Sequence, residues 1–465
     1  MKRYLSFVFF LSLFFACNTY KSLPSVEFTN DWKVQRIVAT PQQQSGDAHA
    51  GKEYLTTGNY IGSGIPLEVF KRQMKKATPD TLLRREGINA NLPYFLTAFQ
   101  HSNGTTVMSG NCLTCHAGFI EGEHIEGLGG LQQDFSKKRA GGFKMLNLFL
   151  KTKYKKESKE RESFAVFSDI NKRAFNYIVT PFKGVNPAFR LEEAYVMRRN
   201  PEDLTLKADD NYEMDKRYTL ASDVPPWWNI KKKHGLYYNG MGRGDFTKLL
   251  MQASTQGIKD STEARDIQQH FVDVLAYLES IEPPKYPKEI DEQLAAKGLP
   301  LFKKKCSGCH GTYGENETYP NKIVSLDIVK TDPYYARNFS TKMHLADWYN
   351  TSWYGASEPT SEVIPLDGYI APPLDGIWAT APFFHNASVP TIEGVLNSKI
   401  RPAYWQRSEK YDYKNLGWKY QQKERASSKK VYNTSLPGYS KEGHYFGDKF
   451  SELERKAVIE YLKTL

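Results

Sequence analysis

The chain contains 465 residues, of which 40% are apolar, 25% charged and 14% aromatic. This length accommodates two or three domains, each with its own core, and the composition excludes a disordered chain. Lys and Arg outnumber Asp and Glu by 63 to 52, which gives a formal net charge of +11. Much of the excess lies between Lys137 and Arg161. That stretch predicts a solvated insertion or a surface for an acidic partner, and no nucleic-acid partner is expected.

The first residues are typical of a secretory signal. Lys2 and Arg3 are basic, and the mostly apolar run from Tyr4 to Ala16 is too short to span a membrane comfortably. The run ends at Cys17, and a small residue before a cysteine is similar to a bacterial lipoprotein cleavage site. Residues 1–17 therefore predict a lipoprotein-type signal peptide with Cys17 as the lipidated residue. An ordinary signal peptide with an incidental cysteine is the alternative.

The polar segment 18–57 is predicted to be a tether between this lipid anchor and a globular body. No other apolar run is long enough to span a bilayer. The anchor is then the predicted contact with the membrane.

Two pentapeptides, Cys112–His116 and Cys306–His310, share the spacing CxxCH and contain four of the five cysteines. Two thiols at this spacing can each bond one vinyl group of a haem, and the next residue's imidazole can ligate the iron. We therefore predict two covalently bound haem c groups. The predicted attachment residues are Cys112, Cys115, Cys306 and Cys309, and the predicted iron ligands are His116 and His310. A zinc site, a redox dithiol and a disulfide are the alternatives, but zinc requires no His after each cysteine pair.

Bacterial haem attachment of this kind takes place outside the cytoplasmic membrane, in agreement with the signal. The predicted location is the periplasmic side of a Gram-negative bacterium, with the protein anchored as a lipoprotein.

The chain shows signs of an internal duplication. Asp266–Ile281 is predicted to be an amphipathic helix, and the chain ends on a similar segment, Val458–Leu465. Each segment closes a stretch that contains one CxxCH, which indicates two haem domains. Three prolines in segment 283–287 predict a stiff linker between them.

The predicted domains are residues 58–282, with an insertion at about 131–222, and residues 288–465. The second domain opens with a predicted helix over Glu289–Lys304, in which Gly298 would allow close approach of the terminal helix at Tyr461 and Pro300 predicts a kink. The predicted fold class is mainly α, with two cytochrome c-type domains in tandem, long loop-rich insertions and little β structure.

Three further segments carry a family resemblance. They are Asn111–Gly118, Pro225–Asn229 followed by Leu236–Gly240, and Trp378–Thr391. With the CxxCH motifs, they make the chain resemble the bacterial dihaem cytochrome c peroxidase and MauG superfamily. Within it, the chain is most similar to the cytochromes related to the rubber oxygenase RoxA.

This resemblance implies that one haem is six-coordinate and relays electrons, while the other has an open position for peroxide or dioxygen. An aromatic residue between the haems would couple them, and Trp227 or Trp228 is the candidate, with core packing as the alternative role. The second axial ligand of the second haem is predicted to be His444, with His385 as the alternative ligand. The resemblance also implies a Ca²⁺ ion, with no ligands assigned, and a redox partner protein or small electron donor.

The leading hypothesis is a dihaem oxidoreductase, and two alternatives stay open: a non-catalytic electron carrier, and a RoxA-like dioxygenase that cleaves a hydrophobic substrate. Peroxidases of this superfamily carry a Gln and a Glu that protonate bound peroxide. The polar residues in the corresponding stretch do not have that spacing; they are Asp245, Gln252, Gln256 and Glu263. Three histidines are weak candidates for the far side of the first iron: His101, His124 and His234.

Overall fold

The computed structural model describes residues 33–70, 82–130, 134–208, 220–341 and 344–465. The predicted signal peptide and Cys17 lie outside these residues. The protein is a mixed α/β molecule, with 40% helix and 15% strand in five sheets. The prediction of a mainly α fold with little β structure was therefore wrong.

The α-helices of the described residues are given in chain order. They are α1 Ala48–Thr57, α2 Ala140–Lys153, α3 Lys159–Tyr177, α4 Ala188–Val196, α5 Phe246–Leu250, α6 Ser261–Ser280, α7 Glu292–Lys305, α8 Ser307–His310, α9 Leu326–Val329, α10 Tyr334–Thr341, α11 Leu345–Thr351, α12 Trp353–Ala356, α13 Ile392–Leu396 and α14 Glu452–Leu462. Short 3₁₀ helices also form, at Leu67–Val69, Gly87–Asn89, Cys112–Thr114, Trp227–Lys232, Met251–Gln256, Ile377–Ala379, Ser398–Ile400 and Tyr445–Gly447.

The strands are short and pair antiparallel. They are β1 Val34–Arg36, β2 Ile65–Pro66, β3 Leu96–Gln100, β4 Thr106–Gly110, β5 Gly118–Ile120, β6 Glu123–Ile125, β7 Gly242–Gly244, β8 Lys322–Ser325, β9 Ser361–Val363, β10 Gly368–Ile370, β11 Tyr404–Asp412, β12 Gly417–Gln422 and β13 Tyr432–Asn433. The sheet orders are β1-β8-β10, β12-β11-β13, β2-β4-β3, β5-β6 and β7-β9. All strands except β11 and β12 have two to five residues, which give almost no alternating pattern and explain why the sequence did not reveal them. The nine residues of β11 and the six of β12 were also missed.

The second CxxCH is flanked by two crossing helices, α7 before it and α14 after it. A Cβ atom on Gly298 would overlap the carbonyl oxygen of Ala457 and lie 3.0 Å from Tyr461 Cβ. Only a residue without a side chain permits this approach, as predicted for Gly298 and the Tyr461 helix. Pro300 lies inside α7.

The first CxxCH is flanked by a similar pair, α1 and α6. Here Gly51 of α1 lies against α6, and a Cβ atom on it would overlap the carbonyl group of Asp273. Residues 34–57 therefore do not form a tether: β1 pairs with β8 and α1 packs on α6. The sequence did not predict α1, because only one of its buried residues is a large apolar one. These buried residues are Gly51, Leu55 and Thr56.

The predicted loop-rich insertion, residues 131–222, contains three helices in its described part, α2, α3 and α4. Phe143 of α2 packs on the rings of Phe164, Phe167 and Phe175 of α3. The expectation of a loop-rich insertion was wrong at this point.

A continuous apolar core joins the two halves of the molecule, with members such as Leu55, Trp228, Tyr277, Phe302 and Tyr461. The proline segment also packs on the body: the Trp378 indole donates to the carbonyl of Pro284, at 2.6 Å. No helix within the described ranges has both the length and the apolar character needed to cross a membrane.

Candidate haem centres

The second CxxCH lies where α7 ends and the single-turn helix α8 follows. The Nδ1 atom of His310 is 2.8 Å from the carbonyl oxygen of Pro372. Because a carbonyl only accepts, Nδ1 carries the proton and Nε2 is left with a free lone pair. This tautomer is the one that a metal-ligating histidine with a backbone partner adopts.

A cavity of about 250 Å³ adjoins this motif. Its walls are mostly apolar and include Phe302, Phe383, Leu396 and Val458. The chemically important residues that line it are Cys306, Cys309, His310, His385 and His444. The cavity thus brings the second CxxCH together with both histidines predicted as second axial ligands.

The geometry of His310 and His444 fits one iron between them. Their ring centroids are 6.2 Å apart. A ligating imidazole nitrogen lies about 2 Å from its metal, and ~1 Å separates that nitrogen from the ring centroid. Two imidazoles on opposite sides of one ion therefore place their centroids roughly 6 Å apart. Burial, together with His310 and Arg401 nearby, lowers the pKa of His444 to about 3, which keeps it in the neutral form that binds metals.

The loop that carries His444 is held by its backbone. His444 adopts a left-handed conformation with φ 50°, and its N–H donates to the carbonyl of Val329, at 2.6 Å. The preceding Gly443 also has positive φ and lies so close to the backbone of Lys330 and Thr331 that a Cβ atom would overlap it. Such a conformation persists only where the surroundings impose it.

Arg401 is part of those surroundings. Arg401 is 3% exposed, and its guanidinium donates to the carbonyls of Lys441, Gly443 and, at 3.4 Å, His444. The same group also donates to the carbonyls of Gly394 and Val395 in α13, and Val395 lines the cavity. Arg401 therefore ties the His444 loop to α13, a role that nothing in the sequence pattern indicated.

His385 lines the same cavity but is engaged differently. Its ring stacks on Tyr369, with centroids 4.1 Å apart, and its Nε2 lies 3.1 Å from the Tyr369 hydroxyl. That hydroxyl donates to the carbonyl of Asp332, so His385 Nε2–H is the donor of the pair. The stacked position leaves His444, rather than His385, opposite His310.

The first CxxCH begins with a 3₁₀ turn, which the side chain of Asn111 caps by accepting from the N–H of Leu113. The N–H of Cys112 donates to the Tyr60 hydroxyl, at 2.9 Å. Burial raises the pKa of the Cys112 thiol, like that of Cys306, to about 11. A redox-active dithiol requires the opposite shift, so these thiols fit covalent attachment better than redox exchange.

His116 stacks on Trp227, with ring centroids 4.6 Å apart and an angle of 18° between the planes. Its Nδ1 is buried without a hydrogen-bond partner among the described residues, and burial lowers its pKa to about 4. The adjacent Trp228 points its indole N–H at the carbonyl of Asp375, a residue that lines the second cavity. The two tryptophans therefore lie between the first motif and the second cavity.

The polar residues weighed for the first iron have other partners. Asp245 caps α5, Glu263 accepts from the N–H of Lys259, Gln252 donates to the Tyr237 hydroxyl, and Gln256 donates to Asn171 and Tyr195. His101 Nδ1 accepts from the N–H of Asn103, and His234 Nδ1 lies 3.0 Å from the carbonyl of Ile37. His124 Nε2 has no partner within the described ranges.

Glu192 is a polar residue that the sequence analysis missed. Its Oε1 is buried without a partner in the described part of the chain, and burial raises its pKa to about 8. Glu192 interacts electrostatically with Tyr195, Tyr237 and Tyr335, and Tyr195 also interacts with Cys115 of the first motif. Glu192 lies in α4, and nothing in the sequence of that helix indicates that this carboxyl is buried.

The two cysteine pairs do not form one zinc site. In the described ranges, no three His, Cys, Asp or Glu side chains are grouped so that they could hold a metal ion. The Ca²⁺ prediction therefore stays without ligands.

Comparison with known proteins points to the second half of the chain. Residues 368–406 match the family described as RoxA-like, cytochrome c-like. The matched segment includes Pro372 and His385, which line the second cavity, and Arg401, which bonds the backbone of the His444 loop. A cytochrome c-like domain implies covalently bound haem c and is consistent with an oxidoreductase. It supports the RoxA-like part of the predicted resemblance.

Two relatives come from Sinorhizobium fredii (strain NBRC 101917 / NGR234). The chain is 30% identical to the uncharacterized protein y4iJ in an alignment of length 251, which covers 40% of this chain and 41% of that protein. It is 25% identical to the uncharacterized protein y4iM in an alignment of length 307, which covers 58% of this chain and 70% of that protein. The chain thus spans less than half the length of the first relative.

Proposed function

We propose that this protein is a dihaem c-type oxidoreductase, in which one haem relays electrons and the other acts on peroxide or dioxygen. Cys306 and Cys309 would attach the relay haem, with His310 and His444 as its axial ligands. Cys112 and Cys115 would attach the other haem, with His116 as its axial ligand. Bound haem supplies one-electron chemistry at iron, and the protein sets its potential and access.

The observation that carries the proposal is the pair of rings of His310 and His444, 6.2 Å apart across a cavity lined by Cys306 and Cys309. Two neutral imidazoles would leave that iron no open position and suit it to electron relay. Trp227, stacked on His116, and Trp228, bonded to Asp375, would couple the two sites. Glu192, protonated below its raised pKa, is available to hold a proton beside Tyr195, which also interacts electrostatically with Cys115.

The test is low-temperature electron paramagnetic resonance of the oxidised holoprotein beside a His444→Ala variant. We expect one low-spin bis-histidine signal that the variant abolishes, together with one high-spin signal that it leaves. The matched control is His385→Ala, which removes the other cavity histidine and should retain the low-spin signal. Two low-spin signals that persist on partial reduction would make the protein an electron carrier and would contradict the proposal.

The match to the RoxA-like family favours a second candidate, oxygen-dependent cleavage of a hydrophobic substrate such as a polyisoprenoid. Its test is incubation of the holoprotein with polyisoprene, followed by chromatography of carbonyl-terminated products. Products that require oxygen would support this reaction. If aerobic and anaerobic samples give the same chromatogram, oxygen-dependent cleavage is contradicted and the reaction with peroxide is favoured.

We further propose that the protein is a lipoprotein on the periplasmic side, where a redox partner protein or a small electron donor could reach it. The support is the signal-like start of the chain and the two CxxCH motifs. Incorporation of labelled palmitate that a Cys17→Ser variant abolishes would support the lipid anchor. Equal labelling of both proteins would contradict it.

A further inference from the structure

Helix α2 has apolar side chains on two opposite faces. Phe143, Leu146 and Leu150 occupy one face, where Phe143 packs on the aromatic rings of α3. This face accounts for the attachment of α2 to the body. It leaves the other apolar residues of the helix unexplained.

Those other residues are Met145, Leu148 and Phe149, which are 65%, 55% and 46% exposed. Their spacing, i, i+3 and i+4, places them on one face of the helix. The other exposed large apolar side chains of the described residues occur singly or as two near each other in sequence, such as Tyr445 and Phe446. Three on one helical face form a local apolar stripe, which is a recognised mark of an interaction site.

The stripe lies within a strongly basic surface. From Lys137 to Lys156 the sequence has eight Lys or Arg residues and no Asp or Glu. Helical spacing puts Lys144 and Lys151 along one edge of the stripe and Lys153 along the other. All three are exposed, and within the described ranges no carboxylate pairs with Lys144 or Lys151.

We propose that α2 docks on an anionic lipid surface, with Met145, Leu148 and Phe149 inserted below the headgroups and the flanking lysines at the phosphate level. The lysines on both edges of the stripe favour an anionic lipid surface as the binding partner. Such a surface offers phosphates to the lysines and an apolar interior to the stripe. Lysine is suited to this edge because its long stem can cross apolar surface while its ammonium stays in water. This contact is independent of any lipid on Cys17.

The test uses the full-length holoprotein with Cys17→Ser, so that a lipid anchor cannot contribute, and measures co-sedimentation with vesicles. One set contains equal parts of phosphatidylglycerol and phosphatidylcholine, and the other contains phosphatidylcholine alone. We expect binding to the anionic vesicles only. Met145→Ser/Leu148→Ser/Phe149→Ser and Lys144→Gln/Lys151→Gln/Lys153→Gln should each weaken it by about tenfold or more.

The matched control replaces three exposed apolar residues elsewhere, Val38→Ser/Ile88→Ser/Leu453→Ser, and should bind like the parent protein. All variants should keep the parent haem absorbance and melting temperature, because the changed side chains lie at the surface. The proposal is overturned if the parent protein does not bind anionic vesicles. It is also overturned if the Met145→Ser/Leu148→Ser/Phe149→Ser variant binds them as well as the parent does. Concentration-dependent dimerisation that this variant abolishes, without vesicle binding, would instead assign the stripe to a second copy of the chain.

Discussion

The side chain of Arg401 holds the loop that carries His444, the proposed ligand of the second haem. Its guanidinium joins the carbonyls of Lys441 and Gly443 to those of α13. We predict that Arg401→Leu loosens the His444 loop and converts at least part of the low-spin signal to high-spin. Because buried carbonyls lose charged donors, the free energy of unfolding should fall by about 2–4 kcal/mol.

The control for this prediction is Arg455→Leu. Like Arg401, Arg455 donates to a backbone carbonyl, that of Phe450, and it pairs with the Glu393 carboxylate as well. The bonds of Arg455 do not involve the 441–444 segment. Arg455→Leu should lower stability and leave the spin state unchanged. An Arg401→Leu protein with an undiminished low-spin signal would show that the loop holds His444 without this residue.

Trp227 stacks on His116, the proposed ligand of the first haem. If electrons pass through it, Trp227→Leu should slow electron transfer between the haems by about tenfold, equivalent to ~1.4 kcal/mol of barrier. The measurement is rapid-mixing spectroscopy of the second haem after oxidant is added. Trp405→Leu is the control, because Trp405 is equally buried but stacks on Tyr432. Equal rates in both variants would leave Trp227 only a packing role.

Glu192 should make stability depend on pH. Burial raises its pKa from 4.5 to about 8, so the folded protein holds a proton there that the unfolded chain releases above pH 4.5. Its stabilising contribution is complete below about pH 4.5 and is lost as pH rises towards 8. Glu192→Gln should flatten this part of the pH profile in denaturant unfolding of the holoprotein. Glu53→Gln, on the exposed side of α1, should not; an unchanged slope in Glu192→Gln would place the pH dependence elsewhere.

At the scale of elements, the sequence allowed prediction of those with a chemical or periodic signature. The sequence allowed us to predict the segment around each CxxCH and three helices: the long amphipathic α6, α7 with Gly298, and the terminal α14. The first helix α1 was not, because a buried glycine and threonine make its inner face look polar. The short strands were not, because two to five residues cannot show a period of two. Arg401 and Glu192 were hidden because burial, rather than residue type, makes them important.

Each of the two helix crossings depends on a glycine: Gly51 of α1 lies against α6, and Gly298 of α7 lies against α14. We predict that even alanine at either position destabilises the protein. Gly51→Ala and Gly298→Ala would each drive a methyl group into a carbonyl of the partner helix. The free energy of unfolding should fall by about 1–3 kcal/mol for each, measured by urea denaturation. Gly142→Ala is the matched control, since a Cβ atom there meets nothing within 4 Å and alanine favours helix. A Gly298→Ala protein as stable as the parent would show that the helices can separate at little cost.

At the scale of the whole molecule, the continuous core predicts that both halves unfold together. Core residues of each half contact one another, and β1 at one end of the described chain pairs with β8 of the second half. Calorimetry of the holoprotein should show one transition, at the same temperature as the loss of far-ultraviolet circular dichroism. Two separate transitions, or two stable fragments after proteolysis between residues 283 and 287, would show that the halves are independent.

The two helix crossings also order events during biosynthesis. In each half the CxxCH lies between the two helices of the pair along the chain, so the pair can close only after its cysteines have been made. Because the cysteines are made before the second helix of their pair, an unfolded chain offers all four thiols before either pair has closed. In the folded protein these cysteines are only half-buried. The proposed haem attachment would therefore meet the thiols with the least obstruction after export of the chain and before α1 packs on α6 and α7 packs on α14.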